Sequence, residues 1–186
     1  MLYYSFDAGS VHFTMFSSEH DYSAGAPQRA WLERDLAAVD RAVTPWLVVA
    51  MHRPMYNARD DSDWSITTGM ARELEAVFVA NKVDLALSGH YHLYERTHSL
   101  RNFTVDATGA SPVYVTVGTG GATYHNESLR ADSLQWTAHD ESEWGFGVVE
   151  AFNRSTLRFS FRANADGGAV RDEVIIVRPE REAARV

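Results

Sequence analysis

Trp46-Leu47-Val48-Val49-Ala50-Met51-His52 and Val83-Asp84-Leu85-Ala86-Leu87-Ser88-Gly89-His90-Tyr91-His92 are the two stretches on which the fold turns. Each opens as an apolar run of strand length and closes in histidine. Continuous apolar runs of this kind suit strands buried on both faces of a parallel sheet. A helical pattern precedes the first run, with Trp31, Leu32, Leu36 and Val39 at helical spacing after Pro27, a residue suited to a first turn. A second helical pattern lies between the two runs, where Met70, Leu74, Val77 and Phe78 form one stripe. With the β-rich segment at residues 11–16, the order is strand, helix, strand, helix, strand. That alternation predicts an α/β fold with right-handed crossovers.

The remainder has a different texture. Residues 1–98 form the α/β portion, whereas residues 112–178 are mainly β, within a single domain of residues 1–186. Strands are expected at 113–117, 147–152, 156–162 and 173–177. Leu157, Phe159 and Phe161 alternate, giving one buried face, and Asn153-Arg154-Ser155 marks a hairpin turn before them. Residues 119–145 carry few strand or helix signals and are expected to form a long acidic surface loop.

Composition excludes several classes of function. The 186 residues are 45% hydrophobic, enough for a packed core and too many for a disordered chain. Lys plus Arg number 17 against 25 Asp plus Glu, and the formal net charge of −8 argues against a nucleic acid or an anionic membrane as the main partner. No apolar run is long enough to span a bilayer. With no cysteine, disulfides, thiolate nucleophiles and thiolate metal sites are excluded together. The first residues do not form a secretory signal and read as already within a strand. Three sequons, at Asn102, Asn126 and Asn153, exceed the roughly one that chance would supply and tilt the reading toward the secretory pathway. The plainer alternative is three polar loop asparagines.

The chemistry lies in where three histidines fall. Ligands collect at the carboxyl ends of parallel strands in an open α/β sheet. Two neighbouring strands ending in His52 and His90 would aim two imidazoles at one place, and His92 adds a third. Gly89 offers a sharp exit from its strand and close backbone approach. Imidazole is a common ligand for zinc and iron, and the one-residue gap between His90 and His92 lets each face a different ion. An isolated H-x-H has many innocent occurrences, and only His52 at an equivalent strand end favours metal. A cupin would need an all-β barrel and a more distant glutamate than Glu95, and the zinc lactamase pattern would continue with Asp-His where Leu93-Tyr94 stands. A mononuclear site of His52, His90 and His92 with water remains open.

A wider match accompanies these residues. Val49-Ala50-Met51-His52-Arg53-Pro54-Met55-Tyr56 and Ser88-Gly89-His90-Tyr91-His92-Leu93-Tyr94-Glu95-Arg96-Thr97 resemble the fourth and fifth sequence blocks of the purple acid phosphatases. Ser18-Glu19-His20-Asp21, Trp31-Leu32-Glu33-Arg34-Asp35-Leu36 and Thr44-Pro45-Trp46 are similar to the stretch before the fourth block. Pro112-Val113-Tyr114-Val115-Thr116-Val117-Gly118 and the segment 145–172 are similar to the family's C-terminal part. The resemblance implies part of a four-layer metallophosphoesterase β-sandwich flanked by helices, lacking its N-terminal strands and helices. It implies an acid phosphatase that hydrolyses phosphomonoesters with metal-activated water. His52 and His90 would bind the divalent ion (zinc, manganese or iron(II)), and His92 would bind iron(III). Arg59, in the loop after the fourth block, is a candidate phosphate contact, the alternative being an exposed loop arginine.

The family's earlier blocks, of the types G-D-x-G, G-D-x-x-Y and G-N-H-[ED], do not occur in this sequence. They carry the bridging and second aspartates, the tyrosine, the asparagine and a phosphate-contacting histidine. The resemblance therefore assigns no catalytic residue to this chain. It predicts that the chain by itself does not assemble a binuclear site, and that a half-sandwich leaves an apolar edge and face uncovered. A catalytically inactive remnant or interaction piece is the alternative to the enzyme.

Overall fold

Residues 2–124 and 127–178 are described by the computed structural model. The chain opens with an antiparallel pair, β1 (Tyr4–Ala8) and β2 (Val11–Met15), and continues through α1 (Pro27–Ala38), β3 (Trp46–Ala50), α2 (Trp64–Ala80) and β4 (Leu85–Ser88). Strands β2, β3 and β4 are successive parallel neighbours. The crossover connections carry the two helices, as the apolar periodicities require.

Next come β5 (Tyr94–Arg101), β6 (Thr104–Val105), β7 (Val113–Val117) and β8 (Thr137–Glu141). Strand β7 extends the parallel set beside β4, and β5 joins β7 antiparallel. The result is a mixed eight-stranded sheet, with β8 also paired to β5. A second, three-stranded sheet is formed by β9 (Gly145–Ala151), β10 (Thr156–Ala163) and β11 (Ala169–Val177), with β10 in the middle.

Strand β3 shows why the layers stack. Leu47 and Val49 pack with Leu32 and Leu36 of α1 and with Met70, Leu74 and Phe78 of α2. Trp46 and Val48 point the other way, into a core shared with Leu157, Phe159 and Phe161 of β10. Apolar residues on both faces thus sandwich the sheet between helices and the second sheet, which makes three layers among the described residues. The ring of Tyr94 stacks on Phe161 with centroids 4.2 Å apart, and its hydroxyl donates to Asp172 of β11 at 2.6 Å. At the free edge of the large sheet, Tyr4 and Phe6 of β1 are 45% and 46% exposed.

Residues 119–145 depart from the expected surface loop. Trp136 is 1% exposed within the helix-side core, and Thr137–Glu141 is strand β8. Strand β5 likewise bears buried polar residues that no apolar alternation announces. The register sets Glu95 opposite Asp140 and Arg96 opposite His139. Polar partners on facing strands, rather than a hydrophobic stripe, define this seam.

Candidate functional site

His52 and His90 leave the carboxyl ends of adjacent parallel strands, and main-chain bonds continue past the ladder to hold them together. Met51 N donates to Leu87 O at 3.0 Å and Gly89 N to His52 O at 3.0 Å. The two imidazoles meet nearly perpendicular with centroids 5.0 Å apart, and His90 Nδ1 lies 3.2 Å from His52 Nε2. Such a separation serves an N–H···N hydrogen bond. It also matches two nitrogens on one ion, since bonds of about 2.0–2.1 Å at a tetrahedral angle place them roughly 3.3 Å apart.

The other nitrogen of His90 is already engaged. Its Nε2–H donates to Asp63 Oδ2 at 2.7 Å. Arg53 Nη1 donates to the same oxygen at 2.5 Å, while Arg53 Nε reaches Glu19 at 3.0 Å and its backbone N–H reaches Ser18 Oγ at 2.8 Å. The hydrogen bond from His90, aided by Arg53, holds the Asp63 carboxyl below the ordinary carboxylate range against the opposing effect of burial. A carboxylate on the far nitrogen fixes ring orientation and tautomer, the usual support of a ligating histidine. His92 is held comparably: Nδ1–H donates to Thr123 O at 2.8 Å, which assigns the lone pair to Nε2.

His90 also carries backbone strain, with φ at +66°. Non-glycine residues in that region are uncommon and concentrate where function over-determines the backbone. Gly89 is not the residue that permits the turn, because a Cβ there would meet only His52 O at 3.9 Å. The close approach belongs to Gly118 at the end of β7, where a Cβ would stand 1.8 Å from Tyr91 O.

Arg59 is not the exposed loop arginine of the alternative reading. It is 6% exposed. Its guanidinium bonds Asp140 and Glu127 O at 3.0 Å, so those N–H groups face protein rather than the histidine rim. Of the sequons, Asn102 and Asn153 are exposed at turns; Asn126, like His125, lies outside the described residues.

Asp63 and the role of Arg53 escaped the sequence reading. An aspartate just before a helix reads as an N-cap, yet Asp63 makes no capping bond and turns its carboxylate to His90 instead. The His52–His90 pair fits one edge of a divalent ion's coordination sphere. Among the described residues, no three His, Cys, Asp or Glu side chains converge to hold a metal, so a complete two-metal centre is not assembled from them.

Two family models match the chain: a calcineurin-like phosphoesterase model over residues 5–94 and an iron/zinc purple acid phosphatase-like protein C model over residues 111–173. The chain is 35% identical to purple acid phosphatase 18 of Arabidopsis thaliana over 178 residues, covering 94% of this chain and 39% of that protein. It is 48% identical to purple acid phosphatase 23 of the same plant over 120 residues, covering 64% of this chain and 26% of that one. The solved purple acid phosphatase of yellow lupin seeds superposes with a TM-score of 0.83 at 29% identity, over 94% of this chain and 32% of that chain. The chain thus spans well under two thirds of the relatives it matches. The blocks around His52 and His90, the two-sheet architecture and these matches agree, and the chain belongs to the purple acid phosphatase family of metallophosphoesterases.

Proposed function

We propose that this chain supplies part of the active site of an acid phosphatase acting on small phosphomonoesters. His52 and His90 would hold a divalent ion (zinc, manganese or iron(II)), and His92 would hold iron(III). The observation that carries this reading is the meeting of His52 Nε2 and His90 Nδ1 at 3.2 Å beyond two adjacent parallel strands. A relative named as an Fe(3+)-Zn(2+) purple acid phosphatase, from Arabidopsis thaliana and 33% identical, supports the metal assignment.

When bound, such a metal pair supplies positive charge that lowers the pKa of water and offsets charge on the phosphoryl oxygens. This chain's own residues orient the donors. Asp63 holds the His90 ring through Nε2–H, Arg53 braces Asp63, and the Thr123 carbonyl holds His92. Exposed sequons at Asn102 and Asn153 support our proposal of a secretory-pathway protein. Among the described residues, no helix is long and apolar enough to cross a membrane.

The test is hydrolysis of p-nitrophenyl phosphate with added iron and zinc, by this chain and by a form extended with the family's G-D-x-G, G-D-x-x-Y and G-N-H-[ED] blocks. The extended form should turn over substrate. His52→Ala, His90→Ala and His92→Ala should each lower its rate on the order of a hundredfold. Turnover that survives His52→Ala and His90→Ala together refutes the assignment. An extended form with no turnover under any metal loading favours the inactive alternative.

A further inference from the structure

A second feature lies at the opposite ends of the same strands, a five-residue strand or on the order of 15 Å from the histidines. An open cavity of about 850 Å³ is bordered by Pro45 and Asp84, just ahead of β3 and β4, and by β6 and the loop following it. Its size falls within the roughly 300–1,000 Å³ of small-molecule sites.

Asp84 forms the floor and is 2% exposed. One carboxylate oxygen accepts from Arg41 Nη1 at 3.0 Å and from Leu47 N at 2.9 Å, and the other from Arg178 Nε at 2.9 Å. Two guanidiniums therefore converge on this one carboxylate. Arg41 Nη2 also donates to Asn81 O and Lys82 O, and Arg178 Nη1 to Gly109 O. Among the described residues, Arg154 bonds the carbonyls of Ala42 and Arg41.

Lys82 and Arg101, both exposed at the mouth, have no side-chain hydrogen bond or ion-pair partner among the described residues. Asp106 is the other acid in the wall, and it accepts from Thr108 and from Ser111 N. Among the described residues, Lys82, Arg101, Arg154 and Arg178 thus border the cavity with Asp84 and Asp106, in a chain whose net charge is −8. Between them Val79, Val105, Ala110 and Val177 present apolar surface.

We propose that this cavity binds a small organic anion, an apolar body carrying a phosphoryl-type group, with Lys82 and Arg101 meeting the charge and the valines meeting the body. Pairing to these cations is charge-assisted, and the concave apolar wall excludes water from the rest of the ligand. The site is separate from the histidine rim and does not depend on metal.

The probe is phenylphosphonate, titrated into metal-free protein by calorimetry and by amide shifts, with inorganic phosphate and benzyl alcohol as partial ligands. Phenylphosphonate should bind saturably and more tightly than either. The Lys82→Gln/Arg101→Gln double variant should weaken it about five- to thirtyfold, the effect of losing two partly solvated ion pairs. His52→Ala/His90→Ala should leave it unchanged. The proposal is overturned if phenylphosphonate does not saturate. It is equally overturned if binding survives the double variant but is lost with the histidines. Inorganic phosphate binding as tightly as phenylphosphonate would remove the apolar half of the site.

Discussion

Glu95→Gln is the perturbation whose size the structure sets most directly. Glu95 is 3% exposed, and both its carboxylate oxygens lie 3.2 Å from Ala58 N, its hydrogen-bond donor. Asp140 sits directly across the strand pair. Burial first, then the Asp140 charge, raises the group from its ordinary 4.5 to about 8, against the pull of the Ala58 N–H and of Arg59. An acid raised in this way stays protonated in the folded chain up to about pH 8, whereas the unfolded chain releases the proton above about pH 4.5. Between those values the folded state binds more protons, so stability is highest on the acid side and falls as pH rises.

The ceiling of that loss is roughly 5 kcal/mol. Rotation of Arg59 toward the new charge would reduce it, and roughly 2–5 kcal/mol is expected between pH 5 and pH 8.5. Urea unfolding followed by tryptophan fluorescence, with Trp46 and Trp136 buried as reporters, measures it at each pH. Glutamine keeps the shape and offers Ala58 an oxygen without the charge. The variant should therefore match the wild type near pH 5 and exceed it near pH 8.5. The difference between the two curves cancels every contribution the two proteins share. A wild type that gains stability over this interval relative to the variant, or two parallel curves, refutes the reasoning.

Gly118→Ala should cost about 2–4 kcal/mol and shift the His92 ring resonances, because its Cβ meets the Tyr91 carbonyl rather than a movable side chain; Gly89→Ala should stay within about 1 kcal/mol on the same measurements. Asp172→Ala removes the acceptor for Arg96 Nε at 2.6 Å, Arg96 Nη2 at 2.9 Å and the Tyr94 hydroxyl. It should lower the urea-unfolding free energy by roughly 3 kcal/mol, since Arg96 is left with its charge half buried.

The fold was legible wherever burial was apolar. Trp46 to Ala50 and the stripe of Met70, Leu74, Val77 and Phe78 announce their elements because each strand or helix face is filled by hydrocarbon. Strands β5 and β8 gave no such sign. Glu95, Arg96, His139 and Asp140 are held by one another and by Arg59 and Asp172, and a pattern of charges reads as loop until the facing strand is known. The meeting of His52 with His90 followed from two adjacent strands ending in histidine. Asp63 did not follow, because an aspartate ahead of a helix has a simpler use as a cap. The burial of Arg59 was hidden for the same reason as β8, since its partner, Asp140, lies 81 residues away in sequence.

The polar seam and the histidine rim are connected through one loop. Glu95 holds the Ala58 backbone, and Arg59 ties that loop to Asp140 and to the Glu127 carbonyl. The loop leads back to His52 and forward to Asp63, while β5 begins two residues after His92. The seam is thus joined through the chain to both ends of the rim. His90 sits strained between them, at φ +66°, and a strained backbone persists only where its surroundings leave no relaxed alternative. Ionisation of Glu95 above about pH 8 would set two carboxylates across the strand pair, so the stability lost on the alkaline side is expected to fall first on this loop.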